Sequence, residues 1–132
     1  MTALGLDTSI VVRLLAGLPE TQALRAKQRL EQALDEGQMV VVTDLVVAEA
    51  YHALHHHYGV PKREAVALLH RFVASGVVEL EPASSVPVLG ERGGAGFVDR
   101  LIHARHRALG ALTLTFERRQ SRLEGAERLA AD

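Results

Sequence analysis

Residues 39–50 read Met-Val-Val-Val-Thr-Asp-Leu-Val-Val-Ala-Glu-Ala, and the apolar period changes inside this stretch. Residues 39–42 form a short β-branched run, the pattern of a buried strand. Thr43-Asp44 supply side chains that cap helix N-termini. From Leu45 the period is helical to about Tyr58, where Gly59 stops it. A buried strand running straight into a helix is half of a βαβ unit, which requires a parallel sheet.

The same alternation extends in both directions. Upstream, residues 3–6 are a short apolar strand ending at Asp7-Thr8-Ser9. A helix over 10–16 is broken by Gly17-Leu18-Pro19, and a polar-rich helix over 20–35 closes at Gly37. Downstream, Pro61 opens an amphipathic helix over 62–74, Gly76 turns the chain, and 77–81 is a strand. Residues 82–96 hold Pro82, Pro87 and four glycines, which predicts a loop with at most a short turn of helix. A helix over 97–109 ends at Gly110, 111–115 is a strand, and the polar C-terminal stretch carries no clear period. No repeat, low-complexity tract or linker divides the chain. These strands and helices predict one α/β domain over 1–132, with a parallel sheet covered on both faces.

Composition excludes several classes. The 132 residues are 48% hydrophobic and 23% charged, a globular balance rather than a disordered one. Cysteine is absent, which removes disulfides, thiolate metal sites and cysteine nucleophiles. No apolar run nears the ~18 residues of a membrane helix. The N-terminus lacks a basic n-region and meets Asp7, so it does not read as a signal peptide. The expectation is a soluble, cytoplasmic protein with no membrane partner. The net charge of −1 argues against a polyanion binder of uniformly basic surface, but residues 100–122 hold six arginines against one acid, Glu117. Arginine outnumbers lysine 13 to 2, and its planar fork suits phosphate.

In parallel sheets, sites form beyond the carboxyl ends of the strands. Asp7 follows the first strand and Glu117 the last. Thr8 or Ser9 could cap the first helix, which leaves Asp7 free for another task. Glu49 has Leu45, Val46, His52 and Ala53 at helical spacing, so burial there would require a partner or a cation. Asp99 sits in the first turn of a helix, where a dipole favours acids. Four carboxylates brought together repel unless a cation joins them, and hard oxygen ligands suit Mg²⁺ or Mn²⁺, ions that support phosphodiester hydrolysis.

Rival constellations are weaker. His52 and His56 stand at i, i+4 and could chelate zinc, but no His-Glu-x-x-His pattern or cysteine accompanies them. His103 and His106 could approach a phosphate or lie on the surface. The stretch from Gly90 to Gly96 lacks the ending of a phosphate-binding P-loop and reads as a flexible loop near the site. Ser9 stands where phosphatases with an aspartate nucleophile need a second Asp, and no Gly-x-Ser-x-Gly elbow occurs. Helical stretches 22–34 and 61–74 could pack in the core or on a partner helix.

Four motifs in order, covering nearly the whole chain, resemble PIN-domain ribonucleases, and among them the VapC-type toxins. They are Leu6-Asp7-Thr8-Ser9-Ile10; the stretch from Val42 to Glu49; Phe97-Val98-Asp99-Arg100-Leu101-Ile102-His103-Ala104; and Leu112-Thr113-Leu114-Thr115-Phe116-Glu117-Arg118. The resemblance implies a three-layer α/β/α sandwich with a central, mainly parallel sheet of about four to five strands. It implies a Mg²⁺- or Mn²⁺-dependent endoribonuclease with Asp7, Glu49, Asp99 and Glu117 as metal-holding and catalytic residues. Thr8, Ser9, Thr115, Arg100 and Arg118 would contact substrate RNA, and cleavage would leave a 3′-hydroxyl and a 5′-phosphate. It further implies a homodimer and a cognate antitoxin. Two departures stand out: Glu117 replaces the usual Asp, and Gly96, Arg119 and Gln120 occupy places where the family often carries an acid or an Asp-Phe pair. They give the alternative, a catalytically impaired PIN-like protein-binding module.

Overall fold

A computed structural model describes residues 3–90 and 96–130. The chain runs β1 (Leu4–Gly5), α1 (Thr8–Ala16), α2 (Glu20–Asp35), β2 (Val40–Thr43), α3 (Asp44–Tyr58), α4 (Lys62–Ala74) and β3 (Glu79–Glu81). A 3-10 turn (Ala83–Ser85) follows, then α5 (Val86–Gly90), α6 (Phe97–Ala108), β4 (Thr113–Thr115), α7 (Arg118–Ser121) and β5 (Ala126–Arg128). The glycine-rich loop expected near the site falls largely on 91–95, outside the described residues.

Strand β2 lies between β1 and β3, parallel to both, with Leu4 opposite Val40 and Val42 opposite Leu80. Its neighbours on either side satisfy its backbone, and Val40 and Val42 are buried. Thr43 then ends the strand and caps α3, its hydroxyl accepting from the Val46 N–H at 3.3 Å. Helix α3 buries Val47, Ala50, Tyr51 and Leu54, a stripe at i, i+3, i+4, i+7. Gly59 ends it in the left-handed conformation at φ 67, where a Cβ is strained. Helix α4 adds Ala65, Leu69 and Val73 at intervals of four. Val11 and Val12 of α1, Phe97 and Leu101 of α6, and Val88 and Leu89 of α5 complete one core.

The α/β class and the parallel pairing agree with the expectation, but the sheet is divided. Among the described residues there is a three-stranded sheet, β1-β2-β3, and a separate parallel pair, β4-β5, rather than one sheet of four to five strands. The cause is local. Strand β1 is only two residues long before the chain bends into α1, so it offers a short edge. Strand β4 is fixed by side chains instead. His103 Nε2 lies 2.7 Å from the Glu124 carbonyl and must donate to it, so with a neutral ring its Nδ1 accepts from the Thr113 hydroxyl at 2.7 Å. His106 Nδ1 then donates to Thr113 Oγ1 at 2.8 Å. Both histidines thus serve the α6–β4 joint, and His103 is buried. The C-terminal stretch, unassigned from sequence, forms α7 and β5.

Truncation of Leu54, which is fully buried, to alanine should cost about 2–5 kcal/mol in urea unfolding. Leu45 lies on the same helix at 71% exposure, and Leu45→Ala should stay within about 0.5 kcal/mol of wild type.

Candidate active site

Asp7 occupies the N-cap of α1 in extended backbone geometry. Its Oδ1 accepts from the Ser9 N–H at 3.0 Å, the Ser9 hydroxyl at 2.6 Å and the Ile10 N–H at 3.3 Å. Thr8 or Ser9 could have capped this helix, but Asp7 does: Ser9 donates to Asp7, because the aspartate acceptor reaches the free N–H groups of the first turn. These bonds, led by the Ser9 hydroxyl and helped by nearby Arg13, hold the Asp7 carboxyl below the ordinary carboxylate value. All three bonds fall on one oxygen. Asp7 Oδ2 accepts no hydrogen bond among the described residues.

Glu49 projects from the second turn of α3 and is exposed. The expectation of a glutamate on a buried stripe is corrected as well. Leu45 and His52 are exposed and Val46 and Ala53 only half-buried, so this side of α3 faces outward while Val47, Ala50 and Leu54 face the core. The desolvation argument does not apply to Glu49. What matters is position: Asp7 and Glu49 line one open cleft of about 740 Å³, together with Thr8, Ser9, Arg13 and His57.

Asp99 and Glu117 do not line that cleft. Asp99 is half-buried in the first turn of α6, and a Cβ at Gly96 would approach its Oδ2 to 3.3 Å. The glycine thus leaves room beside this carboxylate. Glu117 precedes α7, is exposed, and makes no side-chain cap bond. Its N–H donates to Thr115 Oγ1 at 3.0 Å, and the Thr115 hydroxyl donates to Gln120 Oε1 at 3.1 Å. Buried Gln120 returns through Nε2 to the Asp99 carbonyl at 3.2 Å. Sequence reasoning noted Gln120 only as a departure from the family pattern. It ties the third motif to the fourth, and no periodicity could have signalled that. Among the described residues, no three Asp, Glu or His side chains gather closely enough to hold one metal ion.

The donor chemistry at Asp7 and Glu49 still fits a hard divalent cation. Mg²⁺ keeps several waters and needs only one or two protein carboxylates, and Asp7 retains an oxygen free of protein hydrogen bonds. The arginines of 100–122 divide instead of forming one basic patch. Arg100 is buried at 9% exposure and lines a different depression with His103. Arg105 binds Asp44 bidentately at 2.6 and 3.1 Å, joining α6 to α3, and this pairing raises its pKa. Arg107 donates to the Glu124 carbonyl at 3.1 Å. Arg118 is exposed. His52 and His56 stack with ring centroids 5.9 Å apart and His55 lies edge-on to His56, but no three such groups among the described residues are placed to hold a metal ion.

The PIN domain family profile matches residues 5–126, so the chain belongs to the PIN domain family. Proteins of this family are generally nucleases, and its nucleases usually use Mg²⁺ or Mn²⁺. Neither the curated proteins nor the solved structures give a match. No helix among the described residues is long and apolar enough to cross a membrane.

Two stability measurements test this geometry. Asp7→Ala should lose about 0.5–2 kcal/mol with the cap, whereas Asp7→Asn keeps an acceptor and loses less. The folded carboxyl is more acidic than the unfolded one. Its contribution is therefore present above the ordinary carboxylate pKa and fades as pH falls through the lower folded value. Thermal melts of wild type and Asp7→Asn should converge in acid. Gln120→Ala, which removes the acceptor of the Thr115 hydroxyl and the second donor to the Asp99 carbonyl, should cost roughly 1–3 kcal/mol in the same melts at neutral pH.

Proposed function

We propose that this PIN domain is a Mg²⁺- or Mn²⁺-dependent endoribonuclease, with Asp7 and Glu49 at the centre of its site. The observation that carries the reading is the division of labour within Asp7. One oxygen is saturated by the first turn of α1, which fixes the carboxylate and keeps it ionised, while the other is free in a cleft shared with Glu49.

A divalent cation held there supplies charge neutralisation for a phosphate and makes water a better nucleophile. The carboxylates orient that water for in-line attack. Its oxygen would bond to phosphorus as the P–O3′ bond breaks, the water giving up a proton to solvent and O3′ taking one up, so that a 3′-hydroxyl and a 5′-phosphate are left. Arg13 lines the cleft and offers a guanidinium to a phosphate oxygen. The Ser9 hydroxyl donates its proton to Asp7, which leaves Thr8 as the hydroxyl for water or substrate. The motif order assigns Asp99 and Glu117 to the same centre, with Gln120 holding them in register through Thr115. Of the substrate-contacting arginines, exposed Arg118 is accessible to RNA, whereas Arg100 is buried.

The similarity of the four motifs to VapC-type toxins supports the role of a toxin, working as a homodimer whose cleft a cognate antitoxin blocks. One observation favours a second reading. Asp99 and Glu117 lie off the Asp7–Glu49 cleft, as in a catalytically impaired PIN-like module that acts by binding a protein.

Purified, antitoxin-free protein should cleave RNA with Mg²⁺ or Mn²⁺ and stop on addition of EDTA. Asp7→Asn and Glu49→Gln should each lower the rate at least about a hundredfold. A folded wild-type sample that cuts none of a broad RNA panel would instead support the binding module.

A further inference from the structure

A second groove, of about 480 Å³, lies between α1 and α2. Arg13, Arg25 and Arg29 line it, together with Gln22, and no Asp or Glu does so among the described residues. It shares Ser9 and Arg13 with the Asp7–Glu49 cleft, so the two depressions meet at α1. In a chain of net charge −1, this acid-free run of three arginines is a local concentration.

The surroundings of these arginines differ from those of the C-terminal cluster. Arg25 and Arg29 are exposed and stand one turn apart on α2. Their neighbours at i±3 and i±4 are each other and Thr21, Gln22, Ala26, Gln28, Gln32 and Ala33, with no acid among them. Neither makes an ion pair among the described residues. Like charges at this spacing repel and destabilise a helix, so an anion in the groove relieves a cost built into α2. Arg13 is turned across the groove, its Nε donating to Gln22 Oε1 at 2.9 Å. Its Nη1 also donates to the Ser9 carbonyl at 3.5 Å, so Arg13 is partly engaged while, among the described residues, Arg25 and Arg29 are not.

We propose that the α1–α2 groove binds the ribose-phosphate backbone of the RNA strand flanking the scissile bond. Guanidinium forks match phosphate oxygens bidentately. Arg25 and Arg29 are about 6 Å apart along the helix axis, a step that successive phosphates of one strand can follow. The contacts are to phosphate, so they position the strand without reading its sequence. The inference rests on the ribonuclease reading of the adjoining cleft, and it adds a phosphate track along α2 that does not depend on residues 100–122.

The test is fluorescence anisotropy in EDTA buffer, with two 5′-labelled single-stranded RNAs of unrelated sequence, about 12 nucleotides each, titrated across a range of salt. Arg25→Ala/Arg29→Ala should weaken both RNAs equally, by roughly three- to thirtyfold, the range for two exposed charge contacts. The slope of log K against log salt should become shallower by about 0.7 per arginine lost. Arg25→Lys/Arg29→Lys should keep the wild-type slope, and Arg63→Ala/Arg71→Ala on exposed positions of α4 should change neither quantity. Alanine suits a helix interior and removes the repulsion, so the melting temperature of the double alanine variant should not fall. Wild-type affinity and slope in that variant would overturn the groove and leave the ribonuclease reading standing. A wild-type protein that binds neither RNA at any salt would overturn both.

Discussion

Strand β2 is the constraint on which the rest of the structure depends. It is the only strand of the three-stranded sheet with a neighbour on each side, and its Val40 and Val42 are shut away from water. Moving it by one residue would turn both valines outward and Val41 inward. Its register therefore fixes where Thr43 ends the strand, and Thr43 fixes where α3 begins. From that start, the helical period sends Val47, Ala50, Tyr51 and Leu54 inward and leaves Glu49 facing out. The glutamate reaches the cleft because its neighbours are obliged to reach the core. A single hydrophobic decision at residues 40–42 thereby positions a carboxylate seven residues later.

The other half of the cleft is arranged by hydrogen bonding rather than by burial. The first turn of α1 has backbone N–H groups without helical partners, and Asp7 Oδ1 takes two of them with the Ser9 hydroxyl. An aspartate used only as a cap could be replaced by asparagine or serine at little cost. The carboxyl as a whole is held below the ordinary value, and its second oxygen is left unused by the helix, on the side of the cleft shared with Glu49. The α6–β4 region is built on the same principle. Thr113 between two histidines, and Gln120 between Asp99 and Thr115, tie β4 to α6 and α7 through side chains, beside the backbone pairing of β4 with β5.

These two modes of construction explain what could be read in the sequence. Burial leaves a periodic trace, so the β2–α3 unit, the helices over 62–74 and 97–109, and the parallel α/β class were legible from apolar spacing. Side-chain hydrogen bonds leave none. Nothing in the spacing of His103, His106 and Thr113 says that they meet. The same limit applies to the site. Asp7 drew notice as the acid after the first strand and Glu49 as an acid on the helix after β2, and the structure lines one cleft with both. The reason offered for Glu49, an expensive burial, was physically mistaken, since the apolar residues beside it belong to the exposed side of α3. Asp99 and Glu117 were legible as motif members, but their distance from the first pair was not.

Arginine shows the difference between composition and environment most clearly. Residues 100–122 hold the densest run of the residue in the chain, and sequence alone makes that run the natural phosphate surface. Three of its members are already engaged or enclosed: Arg100 is buried, Arg105 is held by Asp44, and Arg107 lies on the Glu124 carbonyl. A guanidinium committed to a protein acceptor must break that bond before it can take a phosphate, and for Arg105 the partner is a nearly buried carboxylate that would be left alone at considerable cost. Arg25 and Arg29 are fewer and sit in a helix whose stretch 22–34 reads from sequence as core or partner-helix packing, yet their helical neighbours offer no carboxylate at all. The capacity to bind an anion is set by what each cation leaves unsatisfied. Along α2, Arg25 and Arg29 are exposed and make no ion pair among the described residues, next to the groove that meets the Asp7–Glu49 cleft.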